Sequence, residues 1–415
     1  MATLLAQDLD FKGAVGTHPS HSLHAFAARF PPQLPACVIE ALSSPGEMVA
    51  DPMMGSGTTL LEAYLHGRPS RGSDLDALAV RLARVKTTPL DPALLADGST
   101  RALAEARRLL VTADLDRERE RRFPPAARQF LDYWFLPETQ RELMALALAI
   151  ERVNAAPLRE FLQVAFSGVI VTKSGGVSLA RDLAHSRPHR VAKRPRSALE
   201  QFAVRTEKNI QALAALPPDG SPVEVARADA RALPWPNESV DLIVTSPPYA
   251  NAIDYVRAHK FSLVWLGEPL DHLARQRGCY IGAERLRDVD GDLPPLPHAM
   301  VEQLAAPDPR RARVLRQYFL DMGRSLAEMF RVLRPGRAAV MVVGSSTMRG
   351  VDVQTPFCLA ELAAAAGFER VGIAERRLDR DRRMLPARHP QAVGSGAGIE
   401  RRMHREHVLG LFRRA

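Results

Sequence analysis

The sequence predicts an α/β protein with a doubly wound, mostly parallel sheet into which helices are inserted. An apolar run, "VDLIV" at residues 240–244, is typical of a strand buried on both faces of a parallel sheet. A glycine-rich turn, "MGSG" at residues 54–57, joins a predicted strand to a predicted helix. Between residues 89 and 218, apolar residues recur at helical spacing. Together these features place a helical segment within an open α/β sheet.

The first unit of the sheet lies within residues 34–87. Residues 34–44 are expected to form a short helix, and "EMVADP" at residues 47–52 a strand. The glycine-rich turn then opens into a helix, and residues 68–87 supply a second strand and another helix. A strand, a glycine loop, a helix and a strand in this order begin a doubly wound sheet.

Two insertions interrupt the rest of the sheet. The larger is the mostly helical segment 89–218, and the smaller spans roughly residues 254–313. The predicted chain division is therefore a first part of the sheet domain at 1–88, the helical insertion at 89–218 and a second part of the sheet domain at 219–415.

The second part of the sheet domain supplies the remaining strands. They are predicted at residues 223–229, 240–245, 338–344, 370–378 and 406–412. Helices are predicted at residues 314–333, where "RPG" stops the helix, and at 357–368. The last two strands pair as a hairpin across the loop "HPQAVGSGAGIE".

Composition and charge narrow the class of protein. The chain has 415 residues, of which 46% are hydrophobic, so it can bury a substantial core. Its 56 Lys and Arg against 47 Asp and Glu give a net charge of +9, which suits a polyanionic partner. The three cysteines are far apart and read as free thiols in a reducing cytoplasm. No signal peptide or membrane span is predicted.

The glycine-rich turn predicts a nucleoside ligand without a pyrophosphate. Gly55 and Gly57 let the backbone approach a ligand at a helix N-terminus. The turn lacks the lysine of a phosphate-binding P-loop, and Leu60 stands where a dinucleotide motif has its third glycine. Asp74, at the end of the second strand, is placed to accept hydrogen bonds from ribose hydroxyls. These features point to S-adenosylmethionine, although glycines at such a turn can also serve tight helix–strand packing alone.

The stretch "TSPPY" at residues 245–249 ends a buried strand with a stiff segment. Pro247 and Pro248 have no N–H group to continue the sheet, and Ser246 and Tyr249 flank them. The carboxyl end of a sheet strand is where open α/β folds place their chemistry. Taken alone, the stretch could also be a strand followed by a rigid turn.

Taken together, "DPMMGSGTT" and "TSPPY" resemble the two motifs of the DNA amino-methyltransferases, which methylate an exocyclic amine of cytosine or adenine. Their glycine motif reads Asp-Pro-Phe-x-Gly-Ser/Thr-Gly-Thr, and their catalytic motif Ser/Asn/Asp-Pro-Pro-Tyr/Phe. The upstream segment "HSLHAFAARFPPQL" and the downstream segment "LRPGRAAVMVVG" are also similar to this family. The resemblance covers most of the α/β portion and neither insertion. It implies a class I methyltransferase sheet of seven strands, with the last hairpin antiparallel.

The resemblance also implies a set of residues that bind S-adenosylmethionine. They are Phe30, Asp51, Pro52, Met53, Gly55, Gly57, Thr58, Asp74 and Asp229. Met53 departs from the phenylalanine that the family usually has, and this change puts one apolar contact to the cofactor in doubt. Asp229 is expected beside the cofactor adenine, but an aspartate there could equally cap its own turn.

The catalytic residues implied by the resemblance are Ser246, Pro247, Pro248 and Tyr249. An exocyclic amine is a poor nucleophile because its lone pair is conjugated into the ring. The Ser246 side chain and the Pro247 carbonyl would accept its N–H bonds, and the prolines would hold these acceptors still. Tyr249 would stack on the base after it leaves the duplex. The methyl group would pass directly to nitrogen, without a cysteine nucleophile.

Three residues after the catalytic motif are expected to contact DNA: Arg257, His259 and Lys260 in "YVRAHK". The basic loop "HSRPHRVAKRPR" is either a second contact or solvated surface, and the Arg-rich "RRLDRDRRMLPARH" is left open. His18, His21 and His24 have near-helical spacing but no accompanying carboxylate or cysteine, so no metal site is predicted.

The sequence therefore predicts a site-specific methyltransferase that acts on cytosine N4 in double-stranded DNA. Its predicted location is the cytoplasm, with the bacterial nucleoid, and a cognate restriction endonuclease is a possible partner. The alternatives are adenine N6 of DNA, an amine of RNA, or a non-catalytic DNA-binding protein on the same scaffold. Ser rather than Asp or Asn before the prolines disfavours the RNA enzymes, and the intact motif residues argue against a non-catalytic protein.

Overall fold

The computed structural model describes residues 1–26, 30–170, 176–180, 196–250, 255–287, 290–378 and 405–415. Its main sheet has seven strands in the order β3-β2-β1-β4-β5-β9-β8. These strands are β1 (Val49–Asp51), β2 (Ser70–Asp74), β3 (Val223–Arg227), β4 (Val240–Thr245), β5 (Leu333–Gly344), β8 (Glu369–Arg377) and β9 (Arg405–Arg413). β9 runs antiparallel between β5 and β8, and the other neighbours in the sheet are parallel. This arrangement confirms the predicted class I methyltransferase sheet with an antiparallel last hairpin.

Helices fill the segments between the strands. Before and within the first sheet unit these are α1 (Ala2–Leu5), a 3-10 turn (Pro19–Ser22), α2 (Gln33–Leu42), α3 (Thr58–Leu65) and α4 (Ala77–Lys86). The first insertion holds α5 (Pro92–Thr112), α6 (Leu115–Arg122), α7 (Pro125–Trp134), α8 (Pro137–Glu151), α9 (Ala156–Ile170) and α10 (Ala198–Leu213). After β4 come α11 (Tyr255–Trp265), α12 (Leu270–Gln276), α13 (Pro295–Ala305), α14 (Pro309–Val332) and α15 (Thr355–Ala365).

The central strands of the sheet are buried on both faces, as the apolar run at residues 240–244 predicted. Because side chains alternate along a strand, β5 contributes to two separate cores. Val340 and Val342 join the core that contains α2, whereas Met341 and Val343 join the core that contains α14 and α15. The sheet is therefore the middle layer of a three-layer arrangement, and its strand ends are held rigidly.

The two insertions are not separate in the structure. The aromatic side chains of Phe261 and Trp265, on α11 of the second insertion, are buried among those of the first. The Phe261 ring centroid lies 5.3 Å from that of Phe130, and the Trp265 centroid lies 5.4 Å from that of Phe123. The helix that follows the "TSPPY" stretch is thus built into the core of the helical segment. The exact domain boundaries stay a prediction.

Three local features differ from the sequence expectation. The "RPG" residues 334–336 lie within β5, where the register shifts between Val240 opposite Leu333 and Leu242 opposite Ala338. β3 ends at Arg227, before Asp229, and a small hairpin of β6 (Thr347–Met348) and β7 (Val351–Asp352) follows β5.

In the described ranges, no helix has both the length and the apolar character needed to cross a membrane.

Candidate active site

A cleft of about 800 Å³, including its open mouth, lies at the carboxyl ends of β1, β2 and β4. The predicted cofactor residues that line it are Phe30, Pro52, Met53, Gly55, Thr58, Asp74 and Asp229. Ser246 and Pro248 of the "TSPPY" stretch line the same cleft. The fold thus brings the glycine motif and the catalytic motif, which are nearly 190 residues apart, into one site.

The two glycines of the motif have different surroundings, and both have positive φ angles that favour glycine. Gly55, with φ of 47°, lines the cleft, and a Cβ there would lie 3.2 Å from the Phe26 ring. Gly57, with φ of 72°, precedes α3, and its Cβ would lie 2.7 Å from the Ala83 Cβ. The packing interpretation therefore holds for Gly57, whereas Gly55 shapes the wall of the cleft.

Asp74 is fixed by the glycine loop itself. Its Oδ2 accepts a hydrogen bond of 2.9 Å from the Gly55 N–H, and its Oδ1 accepts one of 2.9 Å from the Asp76 N–H. A carboxylate oxygen has more than one acceptor site, so both oxygens can still accept hydroxyl donors from a ribose. Burial, with a smaller contribution from the Asp76 charge, raises the pKa of Asp74 to about 7.

Asp51 lies beneath the cleft and joins the two motifs. It is 1% exposed, and its Oδ1 accepts hydrogen bonds from the Thr245 hydroxyl at 2.6 Å and from the Met53 N–H at 3.1 Å. On α3, Thr59 donates to the Val244 carbonyl at 3.1 Å. Burial raises the pKa of Asp51 to about 6, against these hydrogen bonds. Its carboxylate positions the strand end that carries Ser246.

The catalytic stretch is anchored on two sides. The Tyr318 hydroxyl, on α14, donates to the Pro248 carbonyl at 3.0 Å, and Pro247 is buried. The Tyr249 hydroxyl donates to Glu406 Oε1 at 2.8 Å. The sequence analysis identified neither Tyr318 nor Glu406, because nothing in a single sequence links positions so far apart.

The second insertion supplies one wall of the cleft. Tyr280 and Ile281 line it, and Arg231 donates to the neighbouring Cys279 carbonyl at 2.7 Å. Arg231 Nη1 also donates to the buried Asp321 at 2.8 Å. The sequence analysis missed this wall because apolar residues in an insertion give no signal of a ligand.

Asp229 caps its own turn, as one of its two interpretations expected, and its place beside the cofactor adenine stays a prediction. It lines the cleft, and its Oδ1 accepts the Arg231 N–H at 2.9 Å, which is the contact that caps its turn. The Arg231 guanidinium also lies 2.6 Å from Asp229 Oδ2. Burial alone would raise the pKa of Asp229, but the hydrogen bonds from Arg231 lower it below its usual range.

His259 is buried under the cofactor cleft, so the prediction that it contacts DNA is wrong for this conformation. Its side chain is 3% exposed, and Nδ1 lies 2.6 Å from Asp76 Oδ2. Its ring centroid lies 4.9 Å from that of Phe26, which lines the cleft. Arg257 and His259 are two residues apart on α11 and so point to nearly opposite sides of the helix, of which the side with His259 is buried.

Arg257 and Lys260, the other two residues expected to contact DNA, also lie on α11. Arg257 is exposed, and the Lys260 ammonium lies 4.4 Å from the centre of the Phe130 ring. Contact of these two residues with DNA stays a prediction. The basic stretch at residues 185–196 falls almost entirely outside the described residues, as does most of the Arg-rich stretch at 376–389.

The three N-terminal histidines have separate partners. His18 Nε2 lies 3.0 Å from the Ala215 carbonyl, His21 Nε2 lies 2.6 Å from the buried Glu62, and His24 Nε2 lies 2.8 Å from the Ser167 hydroxyl. Burial lowers the pKa of His24 to about 3. Within the described part of the chain, no group of three or more His, Cys, Asp or Glu side chains could hold a metal ion.

Comparison with known proteins agrees with the motif resemblance. Residues 10–84 match a family described as DNA methylase, N6_N4_Mtase. The Type II methyltransferase M.MvaI of Kocuria varians is 24% identical over 368 residues, which span 83% of this chain and 80% of that relative. M.MjaII of Methanocaldococcus jannaschii is 34% identical over 71 residues, or 17% of this chain and 13% of that relative.

Among solved structures, TTHA0409 of Thermus thermophilus, complexed with S-adenosyl-L-methionine, is 17% identical. The alignment covers 45% of this chain and 52% of that one, with a TM-score of 0.23, which supports no functional conclusion. The family match and the relation to M.MvaI confirm the resemblance to the DNA amino-methyltransferases and their cofactor, S-adenosylmethionine. They do not distinguish cytosine N4 from adenine N6.

Proposed function

We propose that this chain, which resembles the DNA amino-methyltransferases of the N4/N6 kind, methylates the exocyclic N4 amine of cytosine in double-stranded DNA. The observation that carries the proposal is the shared cleft, in which Ser246 and Pro248 stand with Gly55 and Asp74. A ribose held by Asp74 would leave the rest of the cofactor directed along the glycine loop toward Ser246.

The cofactor supplies an electrophilic methyl group on a sulfonium, and the protein supplies a nucleophile of sufficient strength. The Ser246 hydroxyl and the Pro247 carbonyl accept the two N–H bonds of the target amine, which draws its nitrogen toward tetrahedral geometry. The amine lone pair forms the new N–C bond as the S–C bond breaks, and the amine then gives up one proton. Because the strand end is fixed by Asp51 through Thr245, these acceptors need no reorganisation during the reaction.

The target base leaves the duplex and stacks on Tyr249, whose side chain is half-buried beside the cleft. Phosphate contacts come from α11, which follows the catalytic stretch. Side chains of the two insertions recognise the DNA sequence, since the base edges in the major groove must be contacted by side chains outside the sheet. The relation to a Type II methyltransferase supports a role in restriction–modification, with an endonuclease of the same specificity as a partner.

The choice of cytosine depends on Ser246. A serine hydroxyl can accept from the amine while it donates to the neighbouring ring nitrogen, which is an acceptor in cytosine. Adenine has a similar amine beside an acceptor, so the preference comes mainly from the family, in which serine at this place usually accompanies cytosine N4.

The test is to express the chain in a host without DNA methylation and to digest its DNA to nucleosides for mass spectrometry. N4-methylcytosine is the expected product, and methylation-aware sequencing would give its sequence context. N6-methyladenine as the sole product would contradict the choice of base, and methylation of RNA alone would contradict a DNA substrate. A Ser246→Ala variant that binds the cofactor but forms no product is the control for the site.

A further inference from the structure

The hydroxyl of Tyr249 has no part in the stacking role that the proposed function gives to this residue. Stacking uses the ring face, and the family motif accepts phenylalanine as well as tyrosine at this place. In this chain, however, the hydroxyl donates to Glu406 Oε1 at 2.8 Å. The contact joins the catalytic stretch to the start of β9, 157 residues away along the chain.

Glu406 is held firmly by its neighbour across the hairpin. Arg376 and Glu406 are directly opposite one another on the antiparallel strands β8 and β9. Arg376 Nη1 donates to Glu406 Oε2 at 2.7 Å, and both residues are buried, with 3% and 8% exposure. One carboxylate oxygen therefore serves the arginine and the other serves the tyrosine.

Arg376 is in turn fixed by the N-terminal segment. Its Nε donates to the Leu9 carbonyl at 3.0 Å, and its Nη2 donates to the Asp10 carbonyl at 3.3 Å. The guanidinium thus contacts three groups in defined directions, which leaves Glu406 little freedom to turn. A buried, paired carboxylate of this kind is a rigid acceptor for the tyrosine hydroxyl.

We infer that Glu406 is a positioning residue, which fixes the Tyr249 ring through its hydroxyl in the orientation that receives the extruded base. This inference rests on the proposed function. The backbone of Tyr249 is already restrained by the two prolines before it and by the Tyr318 contact to the Pro248 carbonyl. Anchoring the hydroxyl restricts rotation about χ1 and thereby holds the ring in one place, which leaves less ordering to be done when the base arrives.

The inference makes the effects of two substitutions dependent on each other. Tyr249→Phe keeps the ring and removes the hydroxyl, and we expect kcat to fall by roughly tenfold, the scale of a hydrogen bond to a charged group. In Glu406→Gln the amide oxygen turns to Arg376 and the amide N–H groups face the tyrosine, whose hydroxyl then accepts a weaker, uncharged hydrogen bond instead of donating to a carboxylate. A smaller loss in kcat is expected, with an unchanged KM for S-adenosylmethionine.

The double variant decides whether Glu406 acts through the tyrosine. In a Tyr249→Phe background, Glu406→Gln is expected to change kcat less than about twofold, because the contact is already absent. Equal losses in both backgrounds, or wild-type turnover for Tyr249→Phe, would overturn the inference. Glu375→Gln is the matched control. Glu375 precedes Arg376 on β8 and forms an exposed pair with Arg405, which precedes Glu406 on β9.

A second measurement does not depend on turnover and so separates this inference from the proposed function. The chain has six tyrosines, and NMR signals of ring-labelled tyrosine can be assigned to Tyr249 by their loss in Tyr249→Phe. We expect the ring protons of Tyr249 to give strong nuclear Overhauser effects to their neighbours in the wild type, where the ring is held in one place, and weaker ones in Glu406→Gln, with unfolding temperatures compared as a check on folding. Identical Overhauser effects in the two proteins would show that the tyrosine is not anchored.

Discussion

The hydroxyl of Thr245 donates a hydrogen bond of 2.6 Å to Asp51 Oδ1. Asp51 ends the first strand and begins the glycine motif, and Thr245 ends the fourth strand and precedes Ser246. The cofactor loop and the catalytic stretch are therefore joined below the cleft by one buried contact. A change at either residue should affect both halves of the site.

Removal of this hydroxyl in Thr245→Val is expected to lower the free energy of unfolding by about 1–3 kcal/mol, because Asp51 loses a donor in a buried place. Turnover should fall as well, since the acceptors at Ser246 and Pro247 lose a support. Chemical denaturation and steady-state kinetics measure the two effects. Thr245→Ser keeps the donor and should preserve most of both properties, and equal behaviour of the two variants would contradict the role of the contact.

The raised pKa of Asp51 also predicts a dependence of stability on pH. The folded state binds this proton more tightly than the unfolded state, so the contribution of Asp51 to stability is lost as pH rises from about 4 to about 6. The shift from 3.8 to about 6 corresponds to about 3 kcal/mol. Asp51→Asn should therefore gain stability relative to the wild type as pH rises through this window. A constant difference between the two proteins would contradict the shift.

Cofactor binding should depend on the ionisation of Asp74. Ribose hydroxyls donate most strongly to a carboxylate, and burial raises the pKa of this group to about 7. Affinity for S-adenosylmethionine is thus expected to be full above pH 7 and to fall by up to about tenfold per unit below it. Calorimetry between pH 5.5 and 8.5 measures this affinity. In Asp74→Asn the bend near pH 7 in the plot of affinity against pH, called the break below, should be absent.

Asp229→Asn is the matched control for that experiment, because Arg231 holds the pKa of Asp229 below its usual range. This variant can bind the cofactor less tightly, but the break near pH 7 should remain. A break that persists in Asp74→Asn and disappears in Asp229→Asn would reverse the assignment.

The exposed Arg257 and the buried His259, both on α11, should differ in their effect on DNA binding. Arg257→Ala is expected to reduce the slope of log affinity against log salt concentration by about one unit, as loss of one phosphate contact does. His259→Ala should leave this slope unchanged and weaken cofactor binding instead, because His259 supports Asp76 at the wall of the cleft. Salt titrations of DNA binding and calorimetry with the cofactor distinguish them, and the opposite pattern would restore the original prediction for His259.

Gly57 should be required for folding rather than for contact with the cofactor. In Gly57→Ala the new Cβ would lie 2.7 Å from that of Ala83, at a φ of 72°. We expect a loss of about 1–3 kcal/mol in the free energy of unfolding. Adding Ala83→Gly removes the Cβ contact but leaves the Cα of residue 83 at 2.9 Å from the new Cβ, and it leaves the backbone strain, so thermal unfolding should recover only in part. If the unfolding temperature does not recover, contact between the two Cβ atoms is not what destabilises Gly57→Ala.

The sequence by itself determined the order of the sheet elements and the two motifs. Strand composition reports burial directly, so the run at residues 240–244 could be recognised without a structure. Glycines in a turn and paired prolines act through their own backbones, and their effect is local. Asp74 could be predicted for the same reason, since its place at the end of β2 follows from the length of one sheet unit.

Only the tertiary structure decided which side chains support the site and which residues of the basic stretch are exposed. Tyr318 and Glu406 contact the "TSPPY" stretch across 70 and 157 residues of sequence, so no local pattern marks them. The fate of His259 shows the reason most clearly. A basic stretch on a helix places its residues on several faces, and which face is buried depends on what packs against the helix. Here the Phe26 ring and Asp76 contact the buried His259, whereas Arg257 remains exposed.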